Sequence, residues 1–235
     1  MSDETDRMPL PEAHVARRQL QMVLLLDSSG SMAGEKIASL NYAIRSALSE
    51  LRQVASENPE VDMRLSAVRF ADEATWHIEE PTPVDEIEWE DISAGGETAM
   101  GQALALVAGM FNSERFSGRQ LPPVVLLVTD GFATDDFGSA FAAFLENPAA
   151  AHATRLAIAI GDTADIETLE SFVDRENSGI APLQARNAPE LVRYIKWATT
   201  APVKATSSPT NAPKRTESLA LEANQLQHDD SAIVW

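Results

Sequence analysis

Three short stretches of this 235-residue chain place carboxylates and small hydroxyls beside apolar runs. Asp27-Ser28-Ser29-Gly30-Ser31 follows the run at residues 22–26, Gly95-Gly96-Glu97-Thr98 precedes an apolar helical pattern, and Thr129-Asp130-Gly131 follows the run at 124–128. Asp27, Ser29 and Ser31 supply one carboxylate and two hydroxyls within a single turn. Thr98 adds a third hydroxyl and Asp130 a second carboxylate. Mg²⁺ is a hard cation that takes oxygen ligands in near-octahedral geometry, keeps several waters and is commonly held by one or two carboxylates. Each stretch alone has an ordinary use: Asp27 or Ser31 as a helix cap, Gly95-Gly96 as a turn, Thr129-Asp130-Gly131 as a loop. Three such pieces converging would make a metal site.

The elements that must position them are legible in outline. Residues 22–26, 124–128 and 156–160 are short unbroken apolar runs, which suits central parallel strands covered on both faces. Each ends in small or polar residues, where an open α/β sheet places its site. Between them, Ile37, Leu40, Ile44, Leu48, Leu51 and Val54 form one helical stripe, and Ala103, Leu104, Val107, Met110 and Phe111 another. Val61, Met63, Leu65 and Ala67 alternate with polar residues, and 75–78 can return as an antiparallel edge strand after Asp72-Glu73. Residues 136–145 and 166–173 are expected helices, 180–184 a last strand and 189–199 a closing helix. The expected fold class is α/β, a doubly wound and mostly parallel six-stranded sheet with one antiparallel edge strand and helices on both faces.

Residues 1–18 lack apolar periodicity and are expected to form a flexible leader, with the folded domain at 19–200. After Ala201 the composition turns to Pro, Ala, Ser and Thr, so 201–235 is expected to be a flexible tail ending in the apolar Ile233-Val234-Trp235.

Composition narrows the partners. The chain has 36 acidic and 18 basic residues, a formal charge of −18 that opposes binding to nucleic acid or anionic membranes. Residues 57–97 hold thirteen acidic residues against Arg64 and Arg69 alone, and a solvated face is the plainest use of such a run. With no cysteine, disulfides and thiolate metal sites are excluded. The polar, acidic N-terminus and the lack of a membrane-length apolar run give the expectation of a cytoplasmic protein.

The five positions Asp27, Ser29, Ser31, Thr98 and Asp130, in this order and context, resemble the metal-ion-dependent adhesion site of von Willebrand factor A (VWA) domains. The resemblance implies that Ser29, Ser31 and Thr98 coordinate the metal and that Asp27 and Asp130 act directly or through water. It also implies Mg²⁺, with Mn²⁺ or Ca²⁺ as alternatives, and a protein partner whose Asp or Glu completes the shell. Residues 24–31, Gly34-Glu35-Lys36-Ile37, Thr129-Asp130-Gly131 with Thr134-Asp135-Asp136, and Tyr194-Ile195-Lys196-Trp197 resemble the TerY-like bacterial group associated with tellurium resistance and stress response. That resemblance implies a scaffold or regulator beside a Ser/Thr kinase and a metal-dependent protein phosphatase. Ala133 stands where that group's loop has proline, and the cysteine-free tail lacks the zinc module of some relatives.

Catalytic alternatives find little support. An aspartyl-nucleophile phosphatase would want a carboxylate two positions after Asp27, where Ser29 stands; no phosphate loop or Gly-x-Ser-x-Gly elbow is present; His14, His77, His152 and His228 lack ligand spacing. The expectation is a protein that is not an enzyme. The alternative role is a noncatalytic subunit coupling an ATPase machine to its substrate.

Overall fold

The computed structural model describes residues 17–113, 116, 120–207 and 212–228. Most of the expected leader and the whole apolar end at Trp235 lie outside the described residues.

Six strands build one sheet: β1 (Arg18–Asp27), β2 (Val61–Phe70), β3 (Ala74–Pro83), β4 (Val124–Thr129), β5 (Thr154–Ile160) and β6 (Leu183–Ala185). Their order is β3-β2-β1-β4-β5-β6. All neighbours are parallel except β2 and β3, the expected antiparallel edge pair. The described helices are α1 (Glu35–Glu57), α2 (Met100–Phe111), α3 (Phe137–Leu145), α4 (Pro148–Ala151), α5 (Ile166–Phe172), α6 (Arg175–Ser178), α7 (Ala188–Ser207) and α8 (Ala212–His228).

Strand β1 shows why its apolar run is unbroken. Leu20, Met22, Leu24 and Leu26 enter a core with α1, α7 and α8, while Val23 and Leu25 enter a second core with α2, α3 and α5. A strand lined by helices on both faces has no solvent side to keep polar. The strand order reverses between β1 and β4, so their C-terminal ends flank the crevice where doubly wound sheets bind ligands.

The C-terminal part departs from the sequence expectation. The described residues after 201 are helical: α7 runs through Pro202 to Ser207, and α8 packs back on the domain. The Thr199 hydroxyl donates to the Ile195 carbonyl at 2.8 Å and that of Thr200 to Lys196 at 2.8 Å, supporting the turn before Pro202. Leu219, Ala220 and Ala223 are buried and Leu226 packs beside them. Glu222 accepts from the Trp197 indole at 3.0 Å, and Gln227 donates to the Pro182 carbonyl at 2.6 Å. The Leu219, Ala223, Leu226 spacing that marks this helix is muted because alanine contributes little apolar weight and the neighbouring prolines suggest breaks.

Candidate metal centre

Asp27 closes β1 and Thr129 closes β4, neighbouring strands whose register pairs Leu26 with Val128 just before them. The Thr129 hydroxyl therefore reaches Asp27 Oδ2, donating at 2.5 Å. Asp27 Oδ1 accepts the Ser29 N–H at 2.8 Å, a bond to backbone two residues on that folds the loop over the strand end. The Ser29 and Ser31 hydroxyls lie 3.0 Å apart, and Ser31 donates to Asp130 Oδ1 at 2.6 Å. Asp27, Ser29, Ser31 and Asp130 thus form one hydrogen-bonded chain across the switch point.

Thr98 reaches the same edge through its backbone. Gly30 N–H donates to the Gly96 carbonyl at 2.9 Å and Gly95 N–H to Ser28 at 2.8 Å, which staples the 95–98 loop to the 28–30 loop. Gly96 has φ +82°, and a Cβ there would stand 2.6 Å from the Asp72 carboxyl group, so glycine is required. On the other side, Thr98 N–H donates to the Thr134 hydroxyl at 3.1 Å, and Thr134 N–H returns to the Thr98 carbonyl at 3.0 Å. Thr98 is buried between the two loops.

Both carboxylates are shielded from water, Asp27 and Asp130 each being 0% exposed. Burial pushes the Asp27 carboxyl above its ordinary range, against its bonds from Ser29 and Thr129, and the nearby Asp130 charge acts in the same upward sense. Two carboxylates buried side by side call for positive charge, of which the Lys36 ammonium on Asp130 supplies one unit. The donor set of two carboxylates and three hydroxyls fits a hard divalent ion that keeps water ligands. Among the described residues no group of three or more His, Cys, Asp or Glu could hold a metal, so hydroxyl donors are indispensable to such a centre here.

Several residues at the centre carry no sequence expectation of their own. Thr129 reads as strand end, yet it anchors Asp27. The Lys36 ammonium, in the first turn of α1, donates to Asp130 Oδ2 at 2.5 Å. Thr163 donates to the Asp130 carbonyl at 2.7 Å. Asp136 caps its own helix, accepting Ser139 N–H at 3.1 Å; hydrogen bonding from the Ser139 side chain and then from this N–H holds its carboxyl below the usual range. Asp135 instead caps α2, accepting the N–H groups of Gly101 and Gln102 at 2.9 Å each. The two aromatic residues of this loop part ways: Phe137 is buried, whereas Phe132 is 63% exposed beside Asp130 and Gly131. A lysine in the first helical turn after a Ser/Gly loop, or a threonine immediately before a site aspartate, is the signal that points to such supports.

The von Willebrand factor type A domain model matches residues 21–191. No curated protein matches the chain. Among solved structures, the chain is similar to a von Willebrand factor type A protein from Catenulispora acidiphila, at 18% identity and TM-score 0.58 over 79% of this chain and 42% of that one. It is similar to the ArnB paralog VWA2 from Sulfolobus acidocaldarius, at 19% identity and TM-score 0.54 over 77% and 45%. It is also similar to proximal thread matrix protein 1 from the mussel byssus, with a zinc-occupied MIDAS motif, at 15% identity and TM-score 0.55 over 80% and 46%. The chain spans less than half the length of each of these three, and at such identities the likeness is one of fold. The matched residues run from β1 into α7 and include all five positions of the candidate centre; this chain belongs to the von Willebrand factor type A domain family.

Proposed function

We propose that this chain is a metal-dependent protein-recognition module. Asp27, Ser29, Ser31, Thr98 and Asp130 hold one divalent cation, Mg²⁺ by donor chemistry, and a partner's Asp or Glu side chain completes its shell. The observation that carries this reading is the pair of fully buried carboxylates, Asp27 and Asp130, bridged by the Ser29 and Ser31 hydroxyls at the ends of adjacent strands. The zinc-occupied MIDAS motif of the mussel byssus protein supports metal binding by such a fold.

The cation's part is to supply an electrophilic centre for the incoming carboxylate. The residues of this chain do the rest. Asp27, anchored by Thr129 and the Ser29 N–H, presents its carboxylate in a fixed orientation. The staple between Gly30 and Gly96 keeps Thr98 over the same crevice. Hydroxyl donors leave the metal less neutralised than a set of carboxylates would, which favours an external anion. Phe132 then offers an exposed apolar anchor beside the metal, the kind of residue that dominates binding energy at interfaces. Acidic groups on and against the 95–98 loop, Asp72, Glu73 and Glu97, are exposed and favour a partner that is basic around its one carboxylate.

Asp27 and Asp130 are each tied to the other's loop, Asp27 by the Thr129 hydroxyl and Asp130 by that of Ser31, which suits holding a metal rather than moving protons, and the reading is noncatalytic. The similarity of residues 24–31, 34–37, 129–131, 134–136 and 194–197 to TerY-like proteins supports a cytoplasmic scaffold whose partner is a Ser/Thr kinase or a metal-dependent phosphatase.

The test is capture of that kinase or phosphatase by the purified chain in Mg²⁺, in chelator, and with Asp27→Ala or Phe132→Ala. Capture should require Mg²⁺, vanish in Asp27→Ala and weaken at least about tenfold in Phe132→Ala. Capture that survives both chelator and Asp27→Ala would refute metal-mediated recognition.

A further inference from the structure

Lys36 occupies a position that helix formation alone does not explain. It sits in the first turn of α1, beside Glu35, where the helix dipole disfavours a cation. Its stem runs past Gly161 at the end of β5 and brings the ammonium within 2.5 Å of Asp130 Oδ2, on a carboxylate whose side chain is 0% exposed. The lysine side chain itself is 25% exposed. Its ammonium is thus held on a fully buried carboxylate while a quarter of the side chain remains exposed.

We infer that Lys36 is a tethered counter-cation that holds the metal-free site together and competes with the divalent ion for Asp130. The inference rests on the metal site proposed above. The charge logic is direct. Two buried carboxylates repel each other, and the ammonium offsets one of them. A divalent cation bound among Asp27, Ser29, Ser31, Thr98 and Asp130 brings its own two charges to the same crevice, so an ammonium at hydrogen-bond distance from Asp130 Oδ2 is then repelled by the metal. Metal binding must displace it or tolerate it, and either course weakens affinity.

Lys36 would thus set a threshold. The folded domain persists without metal, and the site fills only when the free ion concentration is high enough to expel the lysine. A lysine suits this use, because its flexible four-carbon stem lets the charge leave without moving the helix, and its ammonium is well solvated once outside.

Isothermal titration with Mn²⁺ on the wild-type chain, Lys36→Met and Lys36→Arg tests the proposal, with thermal unfolding of each with and without the ion. Lys36→Met should bind Mn²⁺ about tenfold more tightly than wild type, the worth of one charge-assisted hydrogen bond. It should unfold at a lower temperature than wild type without metal, and gain more from saturating Mn²⁺. Lys36→Arg keeps the charge and should bind no more tightly than wild type. If all three chains bind with equal affinity, or Lys36→Met binds more weakly, Lys36 is no competitor, while the metal site stands. If none binds Mn²⁺ and none is stabilised by it, the metal site and the role of Lys36 are refuted together.

Discussion

The Ser31 hydroxyl donates to the Asp130 carboxylate at 2.6 Å across 99 residues of sequence. It joins the loop after β1 to the loop after β4, which the sheet places side by side. Thr129 makes the reciprocal tie, donating to Asp27 at 2.5 Å. Thr129→Val keeps the volume but strips a buried carboxylate of one donor. The metal-free variant should lose about 1–3 kcal/mol of stability in urea unfolding. Unchanged stability would mean that the hydroxyl does not hold Asp27.

The two adjacent glycines of the 95–98 loop should behave differently. Gly96 has φ +82° and no room for a Cβ beside Asp72, whereas Gly95 faces open space. Gly96→Ala should cost about 1–3 kcal/mol and loosen the staple to Gly30. Gly95→Ala should fall within about 0.5 kcal/mol of wild type. Equal effects in chemical denaturation would show that the loop is not built around the Gly96 backbone.

A pH dependence follows from His77. Its ring packs against Trp89 with centroids 4.5 Å apart, and its Nε2 lies 3.0 Å from the Glu90 carbonyl. Burial lowers its pKa below the ordinary 6.5, outweighing the opposing pull of Glu90. The unfolded chain then takes up the proton first, so this stability is complete above pH 6.5 and is lost as the pH falls below it. Denaturation followed by tryptophan fluorescence should show that loss in wild type and a reduced one in His77→Phe. Identical profiles would remove His77 as the cause.

The last described helix, α8, packs into the domain core. Leu219 is 4% exposed under α8, while Leu221 on the same helix is 64% exposed. Leu219→Ala should cost about 2–5 kcal/mol, and Leu221→Ala within about 0.5 kcal/mol. A small effect at Leu219 would return the tail to the extended state that composition suggests.

The contrast between these regions explains what could be read from the sequence. Residues 22–26 and 124–128 announce buried strands because a strand covered on both faces admits no polar residue, and the stripe from Ile37 to Val54 announces its helix by period. The convergence of Asp27, Ser31 and Asp130 follows once those strands are neighbours. What pattern could not carry was long-range and side-chain specific. Lys36 reaching Asp130, and Asp135 capping α2 rather than α3, depend on where the loops turn. The α8 stripe escaped because its small residues bury little area each, and only tertiary packing makes them a face.

The central claim is that one divalent cation sits among Asp27, Ser29, Ser31, Thr98 and Asp130. Calorimetric titration of Mg²⁺ and Mn²⁺ into the wild-type chain and Thr98→Ala tests it most directly, because Thr98 can lose its hydroxyl without leaving a buried charge unpaired. Saturable binding of one ion per chain in wild type, weakened about tenfold or more in Thr98→Ala, is the expected result. Negligible heat in wild type, or the same affinity in both chains, would contradict it.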